Sequence, residues 1–300
     1  MVTVKKLLIS IMGVVFFFFS LGLQVAQANI GNSQFVSPQS QSDSIFYGEV
    51  KPLGDGTIRT FVKFDKDDVP SEIGVVFTEA ALLGLPEEYD HFGSDKFGSE
   101  FPLKLTLRDG TGFSTFEYEL PFPIEASTTP FTHMALNWNP NGHQPEGIFT
   151  APHFDFHFCM ISPKERHSIT VDDDFLKKAY KQIPIGLDAE GYEALPLAAE
   201  PRMGLHWIDS TAPEFRKKAW TKSFLFGSFD GKIVFLEPMI SKTFLETKSN
   251  TTDLIKQPSL YPQPGYYPTK YSVSYADGEY SVSLNGLIYR SLSLPNPNHN

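Results

Sequence analysis

The chain has 300 residues, and its composition excludes several classes of protein. Acidic residues outnumber basic ones by 35 to 25, for a formal charge of −10, and because phosphate binding needs a basic surface we expect no nucleic-acid partner. With 41% hydrophobic and 20% charged residues, the chain is neither disordered nor collagen-like.

The first 28 residues have the pattern of a secretory signal peptide. Lys5 and Lys6 precede an apolar stretch at residues 7–23, and Ala-Gln-Ala at residues 26–28 is a small-x-small cleavage motif. We expect cleavage after Ala28, a secreted or periplasmic protein, and no stable membrane insertion after cleavage. The alternative is an uncleaved membrane anchor, because the apolar stretch is near the length that spans a bilayer.

Turn signals divide the rest of the chain into short apolar segments. Residues 29–44 are rich in Ser, Gln and Asn and predict a flexible N-terminus. Gly-Asp-Gly at residues 54–56 and Asp-Gly pairs at 109–110, 230–231 and 277–278 predict β-hairpins. Residues 183–203, which contain two glycines and three prolines, are interpreted as a loop.

A few short helices are also predicted. One helix is expected after Thr78, one at residues 175–182 and one after Ser241. The fold is predicted to be mainly β, with α+β as a variant. We expect one antiparallel β-sandwich or barrel-like domain over residues 45–294 and a disordered tail at residues 295–300.

The segment Pro-His-Phe-Asp-Phe-His-Phe, residues 152–158, alternates strictly. In a strand, His153, Asp155 and His157 share one face and the phenylalanines share the other. Imidazole and carboxylate groups are typical zinc ligands, although a buried His–Asp network without metal and a surface cluster are alternatives. Since residues i and i+4 are about 13 Å apart on a flat strand, the two histidines share one ion only if the strand bends.

Further ligands must come from other segments. His143 lies in a turn-like segment ten residues before His153, and His206 lies between Leu205 and Trp207 in an apolar stretch. Zinc is the expected ion, with Fe, Mn, Ni and Cu as alternatives. The single cysteine, Cys159, permits no internal disulfide, so the core, a metal or homo-oligomer assembly must supply stability.

Four segments resemble a little-studied family of bacterial exported proteins of unknown function that has a zinc-binding member. They are residues 142–147, 152–158, 203–207 and 226–231, with the motifs Gly-His-Gln-Pro-Glu-Gly, Pro-His-Phe-Asp-Phe-His-Phe, Met-Gly-Leu-His-Trp and Phe-Gly-Ser-Phe-Asp-Gly. The resemblance spans roughly residues 45–245 and implies zinc near His153, Asp155, His157 and His206, with no established reaction. Residues 152–158 also look somewhat like the first metal motif of cupins, except for the central Asp.

Three functions are consistent with these patterns. The first is a secreted metal-binding protein of unknown specific activity. The second is a metal-dependent hydrolase or lyase acting on a small substrate, with Glu146 or Glu237 as general base. The third is a non-catalytic envelope or interaction protein. Three protein ligands beside a cleft would favour catalysis, whereas four ligands without a cleft would favour binding alone.

Overall fold

The computed structural model describes residues 43–87, 101–106 and 112–291, which fall within one compact unit of the chain. The predicted signal peptide and C-terminal tail lie outside the described residues, as does the predicted flexible N-terminus up to residue 42. In chain order the strands are β1 Ser44–Tyr47, β2 Lys51–Leu53, β3 Gly56–Phe64, β4 Pro70–Thr78, β5 Phe101–Thr106, β6 Gly112–Pro121, β7 His133–Asn139, β8 His153–Cys159, β9 Tyr192–Glu200, β10 Gly204–Asp209, β11 Lys222–Phe229, β12 Lys232–Ser241, β13 Thr251–Leu254, β14 Gly265–Tyr267, β15 Lys270–Ala276, β16 Glu279–Asn285 and β17 Ile288–Arg290.

These strands form two large antiparallel sheets. One has the order β1-β3-β4-β16-β15-β13, with β2 also paired to β3, and the other has the order β5-β6-β7-β8-β12-β11-β10-β9. Strands β14 and β17 make a separate small pair. The sheets do not close into a barrel, so the predicted mainly-β sandwich is confirmed and its barrel-like alternative is wrong.

The main core lies between the two sheets. Phe154, Phe156 and Phe158 point from β8 into this core, where the rings of Phe154 and Phe156 lie 6.4 and 6.3 Å from Phe77 of the seven-stranded sheet. Burying one such side chain contributes roughly 1.5–3 kcal/mol. The apolar half of the alternating motif therefore holds β8 in the middle of its sheet.

Turn chemistry explains the hairpins. The pairs Asp230–Gly231 and Asp277–Gly278 both have positive φ angles, 49° and 75° in the first and 51° and 83° in the second, as a type I′ turn requires. They connect β11 to β12 and β15 to β16. β5 pairs with β6 as predicted, while the turn between them lies outside the described residues.

The helices are short. They are α1 Pro163–His167, α2 Phe175–Ala179 and α3 Lys242–Glu246. Short 3₁₀ helices cover Glu79–Leu82 after Thr78, Ile124–Thr128 and Pro213–Arg216. The side chain of Ser241 caps α3 by accepting a hydrogen bond from the Phe244 N–H, as predicted. In the part of the chain that the structure describes, no helix has the length and apolarity to cross a membrane.

One prediction of local structure is wrong. The segment interpreted as a loop, residues 183–203, contains the nine-residue strand β9, which has Pro196 near its centre. Proline removes a backbone donor and therefore disfavours central strands, but β9 lies at the edge of its sheet, where proline is tolerated. This strand matters because it carries Glu200 to the candidate site.

Candidate metal site

The polar half of the β8 motif lies on the face of the eight-stranded sheet that points away from the main core. His153, Asp155 and His157 alternate with the core phenylalanines, as predicted. All three are buried, so the surface-cluster alternative is wrong. Aromatic rings cover this face, with Trp220 5.0 Å from His153 and Phe149 5.9 Å from His143.

His157, His206 and Glu237 form the first group, here called the central triad. The register pairs Leu236 with Phe158 and Met239 with Asp155, which sets Glu237 opposite His157 across neighbouring strands. The His157 Nε2 lies 3.4 Å from Oε1 of Glu237, and the His206 Nε2 lies 3.8 Å from Oε2. One ligand atom from each residue lies within 4.8 Å of the other two, so the triad could hold a metal ion.

The backbone determines which imidazole nitrogens face Glu237. The Nδ1 of His157 lies 3.1 Å from the Ala135 carbonyl, and the Nδ1 of His206 lies 2.9 Å from the Ala198 carbonyl. Since a carbonyl only accepts hydrogen bonds, each Nδ1 carries the proton and donates it. In the neutral ring, Nε2 then presents a lone pair toward the carboxylate.

The atoms inside the central triad lack hydrogen-bond partners among the described residues. The His157 Nε2 and Glu237 Oε2 are both buried and unpaired. Burial lowers the pKa of His157 to about 3. Burial, reinforced by the negative charges of Asp155 and Glu200, raises the pKa of Glu237. Protonated His157 is thus disfavoured, and a cation between these acceptors would satisfy them.

His143, His153 and Asp155 form the second group, here called the loop triad. The His153 Nε2 lies 3.1 Å from Oδ1 of Asp155, and the His143 Nε2 lies 3.5 Å from Oδ2. The Nδ1 atoms of both histidines lie 2.7 Å from backbone carbonyls, those of Ala151 and Gln144. Burial opposes protonation of His143, but its interaction with Asp155 raises the pKa of His143 to about 9.

Glu200, at the end of β9, lies near both triads. It is 8% exposed and pairs with Gly204, two residues before His206. Burial raises its pKa, while the charges of His206 and His143 oppose that rise and the charge of Asp155 adds to it. The charges of residues in both triads therefore act on the Glu200 carboxyl group.

A third group on the same face is neutralised by arginines. In this arginine cluster, Glu117 forms ion pairs with Arg166 and with Arg202, the latter at 2.7 Å. Glu119 lies 3.3 Å from Arg166 and 2.8 Å from His167. Although its ligand atoms are also close together, the guanidinium groups already supply the positive charge that Glu117 needs.

The structure divides the five predicted metal ligands between two places. His157 and His206 lie with Glu237 in the central triad, whereas His143, His153 and Asp155 form the loop triad. The register of β8 against both neighbours is continuous, so the strand does not bend to bring His153 and His157 onto one ion. Of the two candidate bases, Glu237 belongs to a triad and Glu146 is exposed in the connection before β8.

Sequence reasoning missed three contributors to this site. Glu200 was missed because β9 was interpreted as a loop. Asn139, the last residue of β7, donates a 2.7 Å hydrogen bond to Oδ2 of Asp155. Phe235 packs against both His157 and His206, with ring centres 4.7 and 5.2 Å away. No local sequence pattern identifies the last two contacts.

Access to the triads is narrow. The most exposed side chains are those of His143, His206 and Asp155, at 13%, 9% and 7%. Three cavities elsewhere, of about 50, 280 and 550 Å³, are lined by other residues and include no triad side chain.

Comparison with known proteins supports a family resemblance over only part of the chain. The sequence profile of a family described as "TTHB210-like: Hypothetical protein TTHB210" matches residues 65–138. That description agrees with the expected family of unknown function but names no zinc-binding member. The match covers less than half of the chain and ends before His143, so it includes no residue of either triad. No curated protein and no solved structure matches the chain.

Proposed function

We propose that this protein is exported and binds a divalent transition-metal ion, with zinc as the expected ion, at the central triad. One observation carries the proposal: two imidazoles, each with its Nδ1 proton donated to a carbonyl, direct Nε2 toward one buried carboxylate. The set of two histidines and one glutamate is a known zinc ligand combination. Export is proposed from the signal-peptide pattern of residues 1–28 alone.

A bound cation explains the triad better than a shared proton does. A proton placed between His157 and Glu237 satisfies one nitrogen and leaves the second imidazole facing the same carboxyl group. A divalent ion accepts lone pairs from all three side chains at once. The carbonyls of Ala135 and Ala198 then orient the two rings, a contact that commonly supports metal-bound histidines.

Catalysis is the second candidate, and the ligand count favours it. Three protein ligands leave a fourth position open, and a zinc ion there would supply Lewis acidity and lower the pKa of water. Glu200, rather than the exposed Glu146, is the additional carboxylate whose charge acts on Glu237 of the triad. We place metal binding first because the triad side chains are at most 9% exposed, which restricts entry of a substrate.

The proposal is tested by metal analysis of the purified mature protein. His157→Ala and His206→Ala should each lose one equivalent of zinc relative to the wild type. His167→Ala is the matched control, because this histidine faces the arginine cluster and should leave the zinc content unchanged. Circular dichroism checks that each variant is folded. Full zinc content in both His157→Ala and His206→Ala would overturn the proposal.

A further inference from the structure

We infer that the loop triad is a second metal site, so that this face of the sheet binds two neighbouring ions with Glu200 between them. The inference rests on the proposed function in one respect, since it takes the central triad as the first site. The residues of the loop triad support it independently, and so does the position of Glu200.

The inner atoms of the loop triad are close together but do not satisfy one another. The His153 Nε2 lies 3.1 Å from Oδ1 of Asp155, yet each is buried without a hydrogen-bond partner among the described residues. His153 is 0% exposed, so water does not reach its ring from bulk solvent. Two buried acceptors at this separation are stabilised by a cation that both can bind.

Protonation of His143 does not remove the need for that cation. A protonated His143 pairs with Oδ2 of Asp155, where the 3.5 Å separation is longer than a typical charge-assisted hydrogen bond. The His153 Nε2 faces the other oxygen and would remain unpaired. A metal ion bound by both imidazoles and by Oδ1 satisfies all of these atoms.

Surrounding contacts hold the loop triad in a ligand-like arrangement. Asn139 donates to Oδ2 of Asp155 at 2.7 Å, which leaves Oδ1 as the oxygen directed at His153. The carbonyls of Ala151 and Gln144 fix the Nδ1 protons of the two rings. Such outer contacts, from amide and carbonyl groups to the ligands, tune the orientation of side chains in metal sites.

The two triads cannot share one ion, but they are adjacent. Asp155 and His157 are successive residues on the same face of β8, about 7 Å apart at their Cα atoms. Glu200 pairs with Gly204 across β9 and β10, two residues before His206 of the central triad, and its charge also acts on His143 and Asp155 of the loop triad. Glu200 is buried at this position, so its carboxylate is placed to interact with both ions.

Zinc stoichiometry tests the second site separately from the first. After dialysis against buffer with micromolar zinc, the wild type should contain two equivalents per chain by elemental analysis. His153→Ala and Asp155→Asn should retain one, His157→Ala should retain one, and His167→Ala should retain two. If the buried substitutions prevent folding, His143→Ala tests the same site at a residue in the connection before β8.

The possible outcomes separate the two claims. One equivalent in the wild type, lost in His157→Ala and kept in Asp155→Asn and His143→Ala, would overturn the second site and leave the proposed function intact. No zinc in the wild type would overturn both.

Glu200 is tested with a conservative substitution. Glu200→Gln should still bind two ions at saturating zinc. The dissociation constant of the weaker site should rise about 10- to 100-fold, as it does when residues that contact metal ligands are substituted. In cobalt-substituted protein, electron paramagnetic resonance should show magnetic interaction between two ions in the wild type and none in His157→Ala. Identical zinc titrations for Glu200→Gln and the wild type would overturn the role of Glu200.

Discussion

The arginine cluster and the two triads lie on one sheet face and use the same side-chain types, but they balance their charge differently. Glu117 is buried against Arg166 and Arg202, and these cations hold its pKa below the ordinary value even though burial acts to raise it. Glu237 is equally buried, but its neighbours are imidazoles and other carboxylates, and burial together with the charges of Asp155 and Glu200 raises its pKa.

This difference separates a structural ion pair from a candidate binding site. Where the chain supplies its own guanidinium groups, a buried carboxylate is stabilised by folding alone. Around Glu237 it supplies imidazole lone pairs instead, and the proposed metal ion would supply the positive charge. The two regions should therefore respond in opposite ways to substitution and to zinc.

The largest effect is expected from Arg166→Met in the arginine cluster. This change leaves the buried Glu117 with only the partly exposed Arg202, and should lower the free energy of unfolding by about 3–5 kcal/mol. Urea denaturation with and without a chelator measures this loss in the free energy of unfolding. Arg202→Met is the matched control and should cost less, because the Arg202 side chain is 18% exposed. A loss that appears only in the presence of zinc would contradict this assignment.

Zinc should stabilise the protein through the triads. At a concentration one hundred times the dissociation constant, one bound ion raises the free energy of unfolding by about 2.7 kcal/mol. Thermal melts with and without zinc should show this rise in the wild type and in His167→Ala. In the double variant His157→Ala/Asp155→Asn, zinc should cause no shift. A zinc-dependent shift of wild-type size in that variant would show that the ion binds elsewhere.

Acid should destabilise the protein partly through His133, near the arginine cluster. Burial, aided by the charge of Arg166, lowers the pKa of His133 to about 3. Between that value and 6.5 the unfolded chain binds the proton and the folded chain does not, so stability falls as the pH decreases. From pH 7 to 5 this contributes roughly 2 kcal/mol.

His133→Gln should remove that part of the pH dependence. Urea denaturation at pH 7 and pH 5, in the presence of a chelator, compares the variant with the wild type. If the free energy of unfolding changes between pH 7 and pH 5 by the same amount in the variant and the wild type, His133 does not have a lowered pKa in the folded protein.

The smallest effect is expected from Gly227→Ala beside the central triad. A Cβ atom at Gly227 would lie 2.1 Å from the ring of Phe235, so the ring must shift away from its contacts with His157 and His206. We expect zinc affinity to fall about tenfold, equivalent to about 1.4 kcal/mol. Isothermal titration calorimetry measures it, and Gly265→Ala on β14 is the control. Unchanged affinity would show that Phe235 does not position the imidazoles.

Much of the architecture could be predicted because it depends on local chemistry. The Asp-Gly turns need positive φ angles at two successive residues, and Asp230–Gly231 and Asp277–Gly278 have them. The alternation of residues 153–158 indicates which side chains enter the core, because successive residues in a strand point to opposite faces. Pro196 misled the prediction of β9, since the sequence does not show that this strand lies at a sheet edge.

The grouping of ligands could not be predicted in the same way. The sequence indicated His153, Asp155 and His157 as one set, but Glu237 reaches His157 only through the pairing of β8 with β12. His206 is directed by its bond to Ala198, beside a register shift between β9 and β10. Irregular pairing of this kind re-aims side chains and has no simple sequence signature.

The sequence by itself determined a signal-like N-terminus, a mainly antiparallel β chain and a strand with one apolar face and one face of imidazole and carboxylate side chains. These properties follow from composition, turn residues and a period of two, all of which act over a few residues. Only the tertiary structure decided that the histidines separate into two triads, that Glu200 pairs beside His206 and that arginines neutralise Glu117. Those outcomes depend on strand register and on contacts between residues distant in the chain, which packing of the whole sandwich selects.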